Sequence, residues 1–514
     1  MDLWVLLKRI GYNGHTYDGA MLECTTAPLD PIEVGVVDRS RIRKAMRRFP
    51  VLARGFERIC TVEAFKELLC EDVIKHVVWT KNVYAEHFLL LESWRMIRET
   101  TLDSLLSVCS YFAVPKTSSS SRSIVNGKRF SCLCVVPPPV NIPSIVDVLR
   151  RLNSALRSCN RIHIVHGDLR HFFHSIALAE GIERFFGLAM AHRFYAWLRL
   201  PMGWSHSPHV AQCLAWLLLV HCEGGEPALF ELDVFDGEHL PTFLPLAGGR
   251  LGFACITYDN YFCCSSQSEI ADAVSRRIQR NAKLFRMTIK EHFHSSPKSL
   301  RSGIIYLGLE IRTSLKRRKA EADETALEWR IDSRKITPVL TFATRREIAS
   351  TIGKCLYRYF TTGQPLALQP AALELIGILR RVAAKQTPNQ VQWDARIVLE
   401  EESAEILKRE WFLRQRNEWI TSCYRDIPVS QTCILATDAS LTHYGYVILD
   451  INGTLMQEFS APFPLQMANL HIFLLELHAA LEGQKAVIGP AKIYHLIDNN
   501  AVRHALTRGY SRLL

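Results

Sequence analysis

The sequence predicts an α+β fold in which mixed strands and helices precede a mainly helical stretch and then a separate α/β unit. The segment ACITYDNYFCC (254–264) has the pattern of a strand, a tight turn carrying an acid, and a second strand. Apolar residues recur at helical spacing in REIASTIGKCLYRYF (346–360) and ALELIGILRRVA (372–383). From position 431, three strand patterns, a helix, another strand and a helix that begins near Asn499 follow one another, which is typical of an independent α/β unit.

Composition indicates a globular protein with an anionic partner. The chain has 514 residues, 48% of them apolar and 22% charged, which is enough for about three or four domains. The longest apolar run, AQCLAWLLLV (211–220), is about half a membrane span and predicts a buried helix, so we expect no membrane partner. The net charge of +11 favours a polyanion. Fifteen cysteines without regular spacing predict an intracellular location, in the cytoplasm or the nucleus.

Several weaker patterns leave alternatives open. The basic run RSRIRKAMRR (39–48) is either a solvated helix face or an arm that contacts phosphates. HFFH (171–174) and HSPH (206–209) are either pairs of metal ligands or ordinary histidines near a polar surface. The acidic segment 222–249, punctuated by Gly and Pro, predicts a surface insertion.

Two acids form the strongest candidate for chemistry. An apolar strand within RIHIVHGDLRHFFHSI (161–176) delivers Asp168 at its end, and the hairpin at 254–264 presents Asp259. Carboxylates on adjacent strands can hold two divalent cations about 4 Å apart, which activate a hydroxyl and stabilise a pyrophosphate leaving group. Each acid alone would be an ordinary strand-end or turn residue.

The order of four motifs resembles that of the reverse transcriptases of retroelements. These motifs are D-L-x-x-x-F-x-x-I from Asp168, L-P-x-G-x-x-x-S-P from Leu200, Y-D-N at 258–260, and YLGLEI at 306–311. The WSHSPHVAQ motif, and an RNase H-like unit that directly follows the polymerase motifs, are most similar to the DIRS-type, tyrosine-recombinase group. Within that group they are most similar to the trypanosomatid VIPER elements. The resemblance covers roughly 110–514.

The resemblance implies a right-hand polymerase with fingers, palm and thumb, followed by a partial α/β RNase H-like domain. We expect an N-terminal basic extension of unknown role at 1–95 and the fingers and palm at 96–311. A mainly helical thumb and connection would follow at 312–427, and an RNase H-like domain at 428–514. YLGLEI would form the primer-grip hairpin.

For the polymerase site, the resemblance implies that Asp168 and Asp259 bind two Mg²⁺ or Mn²⁺ ions. Phe173 would lie beneath the sugar and clash with a 2′-hydroxyl, which favours deoxynucleotides. The family often has a second aspartate on the hairpin where this chain has Asn260, so the turn is a working metal site, a broken one or an ordinary hairpin.

The resemblance also assigns the groups that bind the incoming nucleotide. Lys116 and Arg122 match cations that clamp the triphosphate, the alternative being two solvated loop charges. Lys290, with Lys298 as a rival, matches the lysine that protonates pyrophosphate. The loop of Met202 and Gly203 would bring backbone close to the base pair and sugar, although related enzymes often carry Gln where this chain has Met202.

The C-terminal unit resembles RNase H. Asp438, Glu476 and Asp498 match three acids of its two-metal site, on the first strand, first helix and fourth strand. The family adds a fourth acid further on, so we expect this unit to be an incomplete fragment, a processing product or a decayed element.

Together these features predict an RNA-directed DNA polymerase of a retrotransposon, with two metal ions per active site. Its partners would be an RNA or DNA template with a primer, and deoxynucleotides. One alternative is a nucleic-acid-binding scaffold without catalysis, which Asn260 and Met202 favour. An RNA-dependent RNA polymerase is disfavoured by Phe173 and by the RNase H-like unit.

Overall fold

The computed structural model describes two compact units. It describes residues 24–32, 35–70, 73, 77–117, 119–224, 226, 228–235, 237–318, 321–336, 343–362, 369–384, 391–421, 431–464, 467, 470–487, 491–499 and 502. Among these, the residues up to Lys335 form the N-terminal unit, and those from Ile336 onward form the C-terminal unit. Both units mix helix and sheet. None of the described helices is long and apolar enough to cross a membrane.

The N-terminal unit combines helices with three sheets. Its helices are α1 (Arg39–Met46), α2 (Pro50–Glu57), α3 (Val62–Lys66), α4 (Ala85–Ser93), α5 (Lys128–Cys132), α6 (Ile145–Cys159), α7 (Phe172–Ser175), α8 (Ser207–Val220) and α9 (Ser268–Phe285). Its strands are β1 (Ile97–Thr100), β2 (Val108–Pro115), β3 (Ser121–Asn126), β4 (His163–Leu169), β5 (Gly187–Met190), β6 (Arg193–Trp197), β7 (Leu244–Pro245), β8 (Gly252–Thr257), β9 (Asn260–Ser265), β10 (Ile289–Ser295), β11 (Ile304–Tyr306), β12 (Leu309–Arg318) and β13 (Glu321–Ile331).

The sheet that carries the predicted acids has the strand order β10-β4-β9-β8-β7 and is antiparallel throughout. Helix α9 packs against β4, β9 and β10, and α8 packs against α9 and β8. Every residue of α8 except Pro208 is buried, which is why its sequence is apolar on all sides. The sheet therefore has a covered face, and the ends of β4 and of the β8–β9 hairpin meet at one edge.

A second sheet has the strand order β1-β6-β5-β2-β3, with β2 and β5 parallel and the other pairs antiparallel. The β2–β3 hairpin carries the predicted phosphate-binding segment. Strands β11 and β12 are joined by a two-residue turn in which Leu307 and Gly308 both have positive φ, as a tight hairpin turn requires. The predicted boundary at 311/312 falls inside β12, which pairs with β13 in the same unit.

The described part of 1–95 is not a separate extension. Phe56, Phe65 and Phe88 from α2, α3 and α4 belong to the same hydrophobic core as the strands and α8. The basic run forms helix α1, whose apolar face is buried and whose first turn is capped by the Asp38 carboxylate. The helix-face interpretation therefore accounts for the run.

The segment 222–249 is also more than a surface insertion. Phe230, Phe235 and Leu240 are buried, and β7 within this segment pairs with β8. These apolar residues extend the core.

In its described residues, the C-terminal unit contains four helices and a four-stranded sheet. Its elements are α10 (Arg345–Thr361), α11 (Pro370–Val382), α12 (Glu401–Arg416), β14 (Ile420–Thr421), β15 (Gln431–Ala439), β16 (His443–Asp450), β17 (Leu455–Pro462), α13 (Ile472–Ala486) and β18 (Ala491–Leu496). Helices α10, α11 and α12 pack on one another. The sheet has the order β17-β16-β15-β18, with β15 and β18 parallel, and α13 packs against β15 and β16.

Candidate active sites

The register of β4 and β9 brings the two predicted polymerase acids together. Asp168 lies opposite Asn260, and Asp259 occupies the turn that precedes β9. The backbone N–H of Leu169 donates to the Asp259 carbonyl oxygen at 2.9 Å. The hairpin turn is therefore tied directly to the end of β4, with both acids half-buried at one edge of the sheet.

The environment of Asp259 opposes its negative charge. Burial raises the pKa of the Asp259 carboxyl, and the negative charge of Asp168 raises it further. The Asp259 backbone N–H, the Arg122 guanidinium and the Asn260 amide act in the opposite direction. That amide donates from Nδ2 to Asp259 Oδ1 at 3.0 Å. Two acids that share a partly buried edge in this way are suited to bind cations.

The two oxygens of the Asp168 carboxylate differ in their hydrogen bonding. Its Oδ2 accepts from Lys290 Nζ at 3.1 Å, whereas its Oδ1 is buried and has no hydrogen-bond partner within the described ranges. A buried carboxylate oxygen without a partner is costly unless a cation or donor compensates for it. Asp168 and Asp259 therefore fit a divalent cation, which prefers carboxylate oxygens.

A β-bulge places Lys290 beside Asp168. The register of β10 against β4 shifts between Ile289 and Glu291, so Lys290 is the extra residue and Glu291 lies opposite Asp168. Burial tends to lower the pKa of Lys290, but Asp168 and Glu291 outweigh it and the pKa is raised. The lysine therefore stays protonated, as a proton donor requires.

Gln212 is a site residue that the sequence did not reveal. Its fully buried side chain donates from Nε2 to the Ile256 carbonyl and accepts from the Tyr258 N–H through Oε1, each at 2.9 Å. Tyr258 has a φ of 54°, which is strained for a large side chain. Gln212 thus holds the strained turn next to Asp259. Gln212 is the last residue of the WSHSPHVAQ motif, but nothing in the sequence indicates its hydrogen-bond partners.

The residue before Asp168 allows close packing under the acid. A Cβ on Gly167 would lie 2.1 Å from the Glu291 carbonyl oxygen and 2.3 Å from the Tyr261 hydroxyl. That hydroxyl hydrogen-bonds with His292 Nδ1 at 2.7 Å. Because position 167 has no side chain, the Glu291 carbonyl of β10 and the Tyr261 side chain of β9 can pack directly against β4 next to Asp168.

Of the residues predicted to contact the sugar and base, Phe173 lies against the turn and Gly203 lies against β3. The Phe173 ring lies edge-to-face with the Tyr258 ring, at 6.0 Å between centroids. Gly203 has a φ of 150°, and a Cβ there would lie 2.1 Å from the Val125 carbonyl oxygen. Gly203 is thus held against the end of β3, with Met202 half-buried beside it.

The two predicted phosphate ligands differ in their surroundings. Lys116, at the tip of the β2–β3 hairpin, forms an ion pair with Asp30. Arg122 is exposed on β3, and its charge partly opposes the rise in the pKa of Asp259 that burial causes. The rival lysine, Lys298, lines a cavity of about 560 Å³ with Arg161 and Arg301, and Asp168 is not part of that lining. Lys290 is therefore the lysine at the acid.

The histidine pairs are mostly buried rather than near a polar surface. Burial lowers the pKa of His206 and His209 to about 4 and that of His174 to about 3. His206 Nε2 contacts the Val135 carbonyl oxygen at 2.9 Å. In the described ranges, no group of three or more metal-binding side chains includes these histidines.

The C-terminal unit gathers its three predicted acids. Asp438 on β15, Glu476 on α13 and Asp498 after β18 each offer a carboxylate oxygen, and these oxygens lie within 4.8 Å of one another. Burial, together with the charges of Asp498 and Asp438, raises the pKa of Glu476, which the Asn499 side chain opposes. A Cβ on Gly483 of α13 would lie 2.7 Å from Thr437 Cγ2, so this glycine allows the helix to approach β15. The acids fit a divalent-cation site. The helix predicted from Asn499 lies mostly outside the described residues.

Comparison with known proteins gives structural similarity only. No protein-family model and no curated protein matches the chain. A foamy viral protease-reverse transcriptase in complex with an RNA/DNA hybrid is similar with a TM-score of 0.48 and 12% identity, over 93% of this chain and 60% of that one. The same protein in complex with dsDNA gives 0.42 and 12%, over 91% of each chain. The structure designated dRH, in complex with ds DNA, gives 0.44 and 11%, over 92% and 77%. Similarity at this level does not transfer a site or an activity.

Proposed function

We propose that this chain is an RNA-directed DNA polymerase that transfers deoxynucleotides onto a primer. The observation that carries the proposal is that β4 and the β8–β9 hairpin place Asp168 and Asp259 at one edge of the sheet, where a buried oxygen of Asp168 has no hydrogen-bond partner among the described residues. The motif order in the sequence supports a tyrosine-recombinase retroelement as its origin.

Asp168 and Asp259 would hold the metal ions. Two Mg²⁺ or Mn²⁺ ions, when bound, would activate the primer hydroxyl and neutralise the charge on the leaving pyrophosphate. Lys290 would give its proton to the pyrophosphate, since its raised pKa keeps it charged until the phosphate oxygen becomes basic. Arg122 and Lys116 would bind the triphosphate oxygens.

Phe173 would select the sugar. Its ring lies against Tyr258, directly before Asp259, so it borders the place where a nucleotide bound to the acids would put its ribose. A 2′-hydroxyl would meet the ring, whereas a deoxyribose would pack on it.

A two-metal nuclease site is proposed for the C-terminal unit. The grouping of Asp438, Glu476 and Asp498 supports it. The reaction would be weak cleavage of RNA in an RNA–DNA hybrid, because only three of the four acids of the family are assigned here. It is tested by loss of hybrid cleavage in Asp438→Asn.

Primer extension on poly(rA)/oligo(dT) with each metal tests the polymerase proposal. We expect Asp259→Asn to reduce the rate by about a thousandfold, equivalent to about 4 kcal/mol of transition-state stabilisation. Asp103→Asn, an exposed acid between β1 and β2, is the matched control and should retain the native rate. If Asp259→Asn extends primers as well as the native chain, the hairpin has no catalytic role and the scaffold alternative is correct.

A further inference from the structure

Residues 24–32 lie along the β2–β3 hairpin as an added edge. The Thr25 N–H donates to the Ala113 carbonyl at 2.9 Å, and the Ser121 N–H donates to the Pro28 carbonyl at 2.8 Å. The Asp30 N–H donates to the Ser121 carbonyl at 2.9 Å. The backbone around Asp30 is therefore fixed against the hairpin that carries Lys116 and Arg122.

The Asp30 side chain forms an ion pair with Lys116, the cation that was predicted to bind phosphate. Its carboxylate forms an ion pair with Lys116 Nζ, and its Oδ2 lies 3.5 Å from His171 Nε2. The side chains of Lys116 and Asp30 are 31% and 30% exposed, so the ion pair is only partly solvated. His171 directly precedes α7, which contains Phe173. Asp30 thus lies between the hairpin and the segment that follows Asp168.

The charges around Asp30 leave Lys116 as its main partner. Burial, with the charge of Lys116 next, lowers the pKa of His171 and favours its neutral ring. A carboxylate and a phosphate oxygen make the same kind of charge-assisted hydrogen bond to an ammonium group. Removal of one partner from a partly buried ion pair leaves the other charge uncompensated, and an incoming anion then gains what the internal partner supplied.

We propose that Asp30 is an internal competitor for the nucleotide triphosphate, so that Lys116 exchanges the Asp30 carboxylate for a phosphate oxygen when a nucleotide binds. This inference rests on the proposed polymerase function for the identity of the anion. Asp30 thereby weakens the binding of every triphosphate and sets the affinity of the site. It touches no reacting atom.

Binding of inorganic tripolyphosphate to the full chain, measured by calorimetry without divalent metal, tests the exchange. Asp30→Asn keeps the shape of the side chain and should bind about fivefold more tightly than the native chain. Asp103→Asn changes the net charge equally and should bind as the native chain does. The double variant Asp30→Asn with Lys116→Met should lose the gain.

The kinetic measurement separates competition from positioning. In primer extension, Asp30→Asn should lower the KM for deoxynucleotide with little change in kcat. A higher KM or weaker tripolyphosphate binding in Asp30→Asn would mean that Asp30 orients Lys116, which overturns the inference. Equal tripolyphosphate affinity in the native chain and in Asp30→Asn would mean that Asp30 does not compete, and this result also overturns the inference. If tripolyphosphate binding tightens while no variant extends primers, the exchange stands and the polymerase function fails.

Discussion

Gln212→Met should loosen the hairpin that presents Asp259 while the core stays filled. Met has nearly the volume and flexibility of Gln, so the change removes two hydrogen bonds without a large cavity. The lost partners are the Ile256 carbonyl and the Tyr258 N–H. Leaving backbone groups without partners at a buried site costs about 1–3 kcal/mol each. The strained Tyr258 also loses the side-chain acceptor of its backbone N–H, so we expect a local loss of about 3 kcal/mol.

Hydrogen–deuterium exchange of peptides covering 252–265 measures this loss at the hairpin itself. A loss of about 3 kcal/mol corresponds to roughly a hundredfold faster exchange when opening is at equilibrium. Primer extension should fall at least tenfold, chiefly in kcat, because the metal-binding acid is no longer held. Gln279→Met, the same substitution at an exposed position of α9, should change neither quantity. Native exchange rates in Gln212→Met would refute the view that this side chain anchors the turn.

Four further predictions follow from the site and its surroundings. Asn260→Asp should raise the ratio of Mg²⁺-supported to Mn²⁺-supported primer extension, because it adds a negative charge beside Asp259; an unchanged ratio would contradict this. Phe173→Ala should admit ribonucleotides and largely keep deoxynucleotide incorporation, which single-nucleotide extension measures; equal use of both sugars by the native chain would exclude a steric gate. Urea unfolding at several pH values should show stability present above pH 6.5 and lost as pH falls toward 4, by about 1 kcal/mol per pH unit for each of His174, His206 and His209. Stability falls with falling pH because these histidines bind protons at a higher pH in the unfolded chain than in the folded one. Primer–template binding, measured by anisotropy, should weaken steeply between about 50 and 200 mM salt, and binding indifferent to salt would count against phosphate contacts.

Local sequence patterns predicted the elements of the site well. Apolar runs on both sides of a tight turn that carries an acid predicted the hairpin at 254–264, and the structure has strands β8 and β9 there. An apolar strand ending at Asp168 then leaves few ways to pair, since a one-residue shift would turn every side chain to the other face. The all-round apolar run at 211–220 likewise predicted a buried helix, and α8 is buried.

Contacts between residues far apart in the chain could not be predicted from the sequence. The bulge at Lys290 depends on how β10 meets β4, and the pairing of Asp30 with Lys116 joins residues far apart in the chain. The prediction of a surface insertion at 222–249 was wrong because its many acids and glycines suggested exposure, whereas apolar residues such as Phe235 are buried in the core. Composition reports what a segment contains, whereas burial depends on what the rest of the chain places over it.

Gly167 shows where tolerance to mutation should be lowest. Its missing side chain is the space in which the Glu291 carbonyl and the Tyr261 hydroxyl lie, so even alanine would push a strand away from the acid next to it. In a library of random variants, position 167 should therefore be nearly as depleted as the acids, although it carries no chemistry. A pair of adjacent intolerant positions, one glycine and one aspartate, would mark this edge of the sheet in any related chain that uses the same packing.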